Sequence, residues 1–241
     1  MAKTAVLSDI HGNLLALEAV IADARACGCS KFLNLGDILS GPLWPSETAD
    51  FLMPMDWPTI AGNHERQVLT DPDDKIGRSD KFTRDTCSEA QLSWLADLPL
   101  ELSLGNIWCT HARPGNDHEY LLETVTQNGL REATDEEVVE RLDGIAYAVV
   151  MHGHSHLPKI RKFSNQQIIA NPGSVGLPAY DDDRPFPHLV ETGSPHARYL
   201  LIDDGVIEMR KVSYDFEAAA RQAEKNGAPD WAGFIRTGKV Q

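Results

Sequence analysis

The chain has 241 residues, enough for one ordinary domain that buries roughly three quarters of its unfolded surface without disulfides or an obligatory partner. Its 22 basic and 36 acidic residues give a formal net charge of -14, which disfavours a protein that grips long DNA or RNA by the phosphate backbone or docks on an anionic membrane. No apolar run approaches the ~20 residues of a membrane span, so what the composition leaves open is a small local site of opposite sign.

The apolar run at 4–7 followed by Leu14, Leu17, Val20, Ile21 and Ala24 predicts a strand, a turn and a helix. The stretch before Asp9 is too short for a signal-peptide core, and a cytoplasmic location is the default expectation. Runs at 31–35 and 58–60, ending at Gly36-Asp37 and Gly62-Asn63-His64, continue an α/β alternation. A helix is predicted over 88–97, with Ser88 as N-cap and Gln91 completing a capping box. Runs at 100–104 and 107–110 around Gly105-Asn106 read as a hairpin, and 119–128 and 134–142 as two helices. A strand at 146–151 leads to His152-Gly153-His154-Ser155-His156. Hairpins are predicted at 159–163 with 167–170 and at 198–202 with 206–212, a surface loop at 173–195, and a helix at 216–226 followed by a polar tail. The fold class expected is α/β, two sheets face to face with helices outside, as a single domain over 1–241. Cys27, Cys29, Cys87 and Cys109 form neither a CxxC pair nor a zinc-ribbon spacing and are read as reduced thiols.

Five of the nine histidines fall, with two aspartates and an asparagine, into short segments that each follow a predicted strand. They are Asp9-x-His11, Gly36-Asp37, Gly62-Asn63-His64-Glu65, His111 and His154-x-His156. Ligand sites form at the carboxyl ends of strands in open α/β sheets, so these loops can converge although they span most of the chain. Each is weak alone: a single DxH is as readily a helix-capping Asp beside a surface His. Together they require a reason for imidazoles, carboxylates and an amide all to sit at one end of the sheets, and a metal site is that reason.

In order and spacing these motifs resemble the calcineurin-like metallophosphoesterase superfamily, and Asn171-Pro172-Gly173-Ser174-Val175-Gly176 with Val212-Ser213-Tyr214-Asp215 is similar to its compact bacterial and archaeal phosphodiesterase branch. The resemblance implies a four-layered α/β/β/α sandwich with two metal ions. Asp9, His11 and His156 would hold one ion, Asn63, His111 and His154 the other, and Asp37 would bridge them. Nitrogen and oxygen donors without thiolate suit divalent Mn, Fe, Co, Ni or Zn. It further implies direct attack on phosphorus by a metal-bridging hydroxide, with Asn63 stabilising phosphoryl charge and His64 protonating the leaving group.

One departure is informative: where the phosphoprotein phosphatases carry Asp-Arg-Gly after Gly-Asp, this chain has Ser40, Gly41 and Pro42, so neither an orienting Asp for His64 nor a phosphate-binding Arg is supplied there. The substrate expected is a small phosphodiester, ahead of a monoester. The alternatives are a phosphoprotein or dinucleotide polyphosphate phosphatase and, least favoured because every ligand position is filled, a non-catalytic scaffold on the same fold. Arg113 is a candidate for substrate phosphate, with a surface salt bridge at least as ready a reading, and residues 114–144 are expected to shape the entrance. His152 is read as a strand-end residue behind the ligands, His118, His188 and His196 as solvated, and Asp181-Asp182-Asp183 as an acidic turn rather than a calcium loop. The loop at 173–195 is a candidate dimer surface. Two divalent cations would add about +4 where only Asp9 and Asp37 supply carboxylates, which lets an acidic protein receive a small anion.

Overall fold

The computed structural model describes residues 3–240. Strand β1 (Thr4–Leu7) is central, with Ala5, Val6 and Leu7 fully buried, as a strand covered on both faces requires. Strand β2 (Lys31–Asn34) pairs with it in parallel, and β12 (Ala197–Asp203) pairs antiparallel on its other side, carrying β13 (Val206–Val212) at the edge. A second sheet has the order β3 (Glu101–Leu104), β4 (Ile107–Thr110), β7 (Val149–Met151), β9 (Ile168–Asn171), β8 (Lys159–Lys162), parallel through β4, β7 and β9.

The period-2 alternation of strands explains the layering. Val6, Leu33 and Leu200 of the first sheet meet Cys109, Met151 and Ala170 of the second in one apolar core. Their neighbours Ala5, Leu7, Tyr199 and Leu201 turn outward to helices α1 (Leu14–Ala26), α2 (Pro45–Leu52), α3 (Asn63–Thr70) and α5 (Glu89–Ala96). On the far side, Val150 and Ile169 pack against Val138 and Leu142 of the α6 (Asp135–Arg141) region. Two large mixed sheets flanked by helices result, as expected. The capping box at Ser88 and Gln91 forms as read, with Ser88 Oγ accepting from the Gln91 amide. Helix α4 (Arg78–Thr86), largely polar and not legible in the sequence, lies beside α3.

Four readings are corrected. Residues 119–128 hold no helix: β5 (Glu123–Thr126) and β6 (Gly129–Glu132) form a hairpin, because the β-branched Thr124, Val125 and Thr126 run into Gly129 at φ 98. The stretch 173–195 is only partly loop, since β10 (Ala179–Asp182) and β11 (His188–Glu191) pair within it. The run at 58–60 contributes a single parallel bridge, Asn34 to Thr59, rather than a strand. After α7 (Phe216–Lys225) the chain is not a polar tail: Pro229 opens α8 (Pro229–Thr237), which ends at Gly238 with φ 63. Ala232 and Ile235 pack on Ala219, Ala220 and Ala223 of α7 and on Leu43, with Trp231 against the edge of that cluster, while Phe234 packs with Leu177 and Ala179.

Candidate metal centre

The carboxyl ends of β1, β2, β4 and β7 all open to the same end of the sandwich. Asp9 and His11 follow β1, Asp37 follows β2, His111 follows β4, and His154 and His156 follow β7. Asn63 opens α3 beside them. The first two loops are tied by Asp9 N–H to the Gly36 carbonyl and His11 N–H to the Asp37 carbonyl, both 3.0 Å. Asn13, not Asp9, caps α1, its Oδ1 accepting from the Ala16 amide, which leaves the Asp9 carboxylate free for the site.

This end of the molecule holds strained backbone. Asp9, His11, Asp37, His154 and His156 all have φ between 52° and 67°, a region that costs an L-residue about 1–2 kcal/mol. The loop hydrogen bonds hold them there. Gly62 shows how closely the elements meet, since a Cβ at that position would lie 2.2 Å from Asp37 Oδ1 and 2.8 Å from His111 Cε1.

Two donor groups form, each with its ligating atoms within 4.8 Å of one another: Asp9, His11, Asp37 and His156, and Asp37, His111 and His154. Asp37 belongs to both. Asn63 Oδ1 lies 3.1 Å from His111 Nε2, which puts the asparagine with the second group, and Asp37 Oδ2 lies 3.1 Å from the same nitrogen. The imidazoles are aimed from behind by carbonyls: Nδ1 of His11, His111 and His156 each lies 2.7 Å from the carbonyl of Ser40, Leu35 and Leu177 respectively. His154 is reversed, its Nε2 donating to the His118 carbonyl at 2.8 Å and its Nδ1 left for the centre.

A carbonyl only accepts, so each of those ring nitrogens carries a proton, and the opposite nitrogen is the one turned to the centre, presenting a lone pair where the ring is neutral. His11 Nε2 and His156 Nε2 thus face each other at 3.1 Å, with Asp9 Oδ1 3.2 Å from the latter. Lone pairs at that separation repel unless positive charge joins them. The residues therefore fit a metal: oxygen and nitrogen donors, no thiolate, tautomers already set.

The electrostatics agree. Burial would raise the Asp9 and Asp37 carboxyls, but the facing imidazoles, His156 for Asp9 and His111 and His64 for Asp37, hold both below the ordinary range. Burial and the neighbouring His156 push His11 down to about 3, and burial with His111 holds His154 well below its usual value. His111 goes the other way, to about 9, because Asp37 outweighs its burial. The carboxylates are ionised and His11 and His154 neutral, ready for a cation, while His111 would give up a proton to one.

Two functional residues were missed. Glu65, quoted in its motif without a role, is buried and clamps the Asp37 loop: Oε2 accepts from the Asp37 amide at 2.8 Å and the Gly62 amide at 2.7 Å, Oε1 from the Ile38 amide at 2.8 Å. Asp80 of α4 orients His64, accepting from its Nδ1 at 2.7 Å and from Ser40 Oγ at 2.6 Å. Burial would lower His64, but Asp80 and Asp37 raise it to about 10. No local signal marks Asp80, a polar residue on a polar helix that only tertiary packing brings to the site.

Of the other candidates, Arg113 pairs through its guanidinium with Glu119 in its own loop, the salt-bridge alternative, and is not among the residues lining the cleft above the ligands. His188 is corrected, being buried with Nε2 2.9 Å from the Tyr120 hydroxyl. His118 is exposed and His196 half-buried against Ser194. His152 is fully buried behind the ligands. The buried 173–177 turn buttresses them, with Ser174 Oγ donating to the Asp9 carbonyl at 2.7 Å and the Gly176 amide to the same carbonyl at 3.0 Å.

A two-sheet sandwich with this donor set at the strand ends defines a metal-dependent phosphoesterase class. The chain belongs to the calcineurin-like phosphoesterase superfamily, whose domain profile matches residues 2–192, and is thereby a hydrolase acting on phosphoric esters. It is 28% identical to an uncharacterized protein of Methanocaldococcus jannaschii over 95% of both chains. In structure it is similar to a metallophosphoesterase from Sphaerobacter thermophilus, with TM-score 0.77 and 21% identity over 98% of this chain and 99% of that one. It is also similar to a hypothetical protein from Pyrococcus horikoshii, with TM-score 0.75 and 18% identity over the whole of both chains. No helix among the described residues is long and apolar enough to cross a membrane.

Proposed function

We propose that the chain hydrolyses a small phosphodiester, ahead of a monoester, at a two-metal centre. The observation that carries this reading is Asp37, which belongs to both donor groups and can span two ions. Asp9, His11 and His156 would hold one divalent ion and Asn63, His111 and His154 the other, with Mn, Fe, Co, Ni or Zn all compatible with these donors. Bound there, such ions supply charge to the phosphoryl oxygens and lower the pKa of water to near neutrality.

The side chains do the rest. The Asn63 amide helps to hold a phosphoryl oxygen, and the N-terminus of α3, which begins at that residue, favours the same negative charge. His64 gives a proton to the departing oxygen, its ring fixed by Asp80 and its backbone amide bonded to Asp37 Oδ1 at 3.0 Å. Water is the nucleophile, and no phosphoenzyme forms.

The test is hydrolysis of bis-p-nitrophenyl phosphate against p-nitrophenyl phosphate after removal of metal and titration with Mn, Ni or Co, with calorimetry counting the ions. Two ions per chain and a preference for the diester are expected. Activity that survives Asp37→Ala would sink the site, and inactivity with every metal would favour the scaffold alternative.

A further inference from the structure

The cleft above the ligands has a volume of about 420 Å³. One of its walls is Trp231 and Phe234 of α8, which pack with Leu177 and Ala179 at its edge. The indole meets the His11 ring edge-on with centroids 5.8 Å apart, and the His64 ring meets the same imidazole at 5.3 Å. The aromatic wall and His64 therefore neighbour one ligand, on the side from which a departing oxygen protonated by His64 must leave.

The rim has a different character. Asp71 and Asp181, Asp182 and Asp183 stand there against Lys75 and Arg184, and Arg184 lies 3.8 Å from Asp183 rather than free. Beyond a first phosphate, each further phosphate would have to sit among these carboxylates, a repulsion that selects against polyphosphate chains. A flat ring meets no such penalty and gains burial and stacking on the wall.

We infer that Trp231 and Phe234 form the leaving-group subsite, and that the substrate is an ester of a single phosphate whose leaving group presents an aromatic ring. This rests on the phosphoesterase reading of the metal centre. The aromatic contact is worth about tenfold in affinity, the scale of one ring stacked on the half-buried Trp231.

The experiment uses the Mn-loaded protein with phenylphosphonate and methylphosphonate, which bind without turnover, measured by calorimetry. It adds kcat/KM for phenyl and methyl phosphate esters. Wild type should bind phenylphosphonate about tenfold more tightly than methylphosphonate. Trp231→Ala should collapse that preference and lose about tenfold more on the phenyl ester than on the methyl ester, mainly through KM, while Trp231→Phe keeps most of it. An equal loss on both esters overturns the subsite and leaves the phosphoesterase reading intact. Retained phenylphosphonate preference with no ester hydrolysed strikes that reading and leaves the aromatic wall standing. A dinucleotide polyphosphate cleaved with higher kcat/KM than diphenyl phosphate overturns the single-phosphate assignment.

Discussion

The sandwich has a cleft at each end, and the two differ in a way that size does not predict. At the carboxyl ends of the parallel strands lies the smaller, about 420 Å³, floored by histidines and Asp37. At the opposite end lies a larger one, about 840 Å³, lined by Phe32, Trp57, Ile107, Ile202 and Ile207. The first concentrates backbone at positive φ, shifted titration and facing lone pairs. The second has ordinary packing, with Phe32 and Trp57 stacked at 4.4 Å. Chemistry resides where the chain holds polar groups in an arrangement they would not adopt alone, because a binding partner repays that cost only there.

Mutation at each end sharpens the contrast. Asp37→Ala, which removes the residue common to both donor groups, should lower kcat/KM by about a thousandfold or more and reduce the number of ions counted by calorimetry. Asp80→Asn should lower kcat by about a hundredfold with a much smaller change in KM, since it frees the His64 ring without touching the donors, and Asp80→Glu should recover part of the loss. At the far end, Trp57→Ala should leave kcat/KM unchanged while costing about 1–2 kcal/mol in denaturant unfolding, through lost apolar burial. Catalytic loss at Trp57 comparable to that at Asp80 would erase the distinction between the ends.

The smallest effect lies outside both clefts. Glu137 is held at about 2, first by Arg131 and then by the Thr134 amide at the start of α6. A folded value depressed below the ordinary glutamate value of 4.5 gives stability that is complete above that pH and fades as pH falls through about 2. Glu137→Gln should therefore be slightly less stable than wild type at pH 7, with the difference shrinking in acid unfolding toward pH 2.

Much of the site was legible because its donors sit within one to five residues of a strand or apolar run, where that run stops abruptly at Asp, His or Asn. Arg113 left two readings open because proximity in sequence to His111 says nothing about which carboxylate a guanidinium will find, and in the fold it meets Glu119. His188 misled because a histidine in a Pro- and Asp-rich stretch reads as solvated, whereas pairing of β10 with β11 buries it against Tyr120. The helix expected at 119–128 gives way to a hairpin because the β-branched run Thr124, Val125 and Thr126 ends in a turn.

What the sequence alone determined is the α/β class, the alternation that makes two sheets share a core, and the residues able to bind metal, because each depends on short-range pattern. Tertiary structure decided the tautomer of every ligand histidine, the partner of His64 and the aromatic wall above the centre. Those depend on Ser40, Leu35, Leu177 and His118 carbonyls, on Asp80 and on α8, brought to the strand ends by packing across as many as 220 positions, from His11 to Trp231. No local propensity encodes such meetings; they follow only once the sheets and helices have closed.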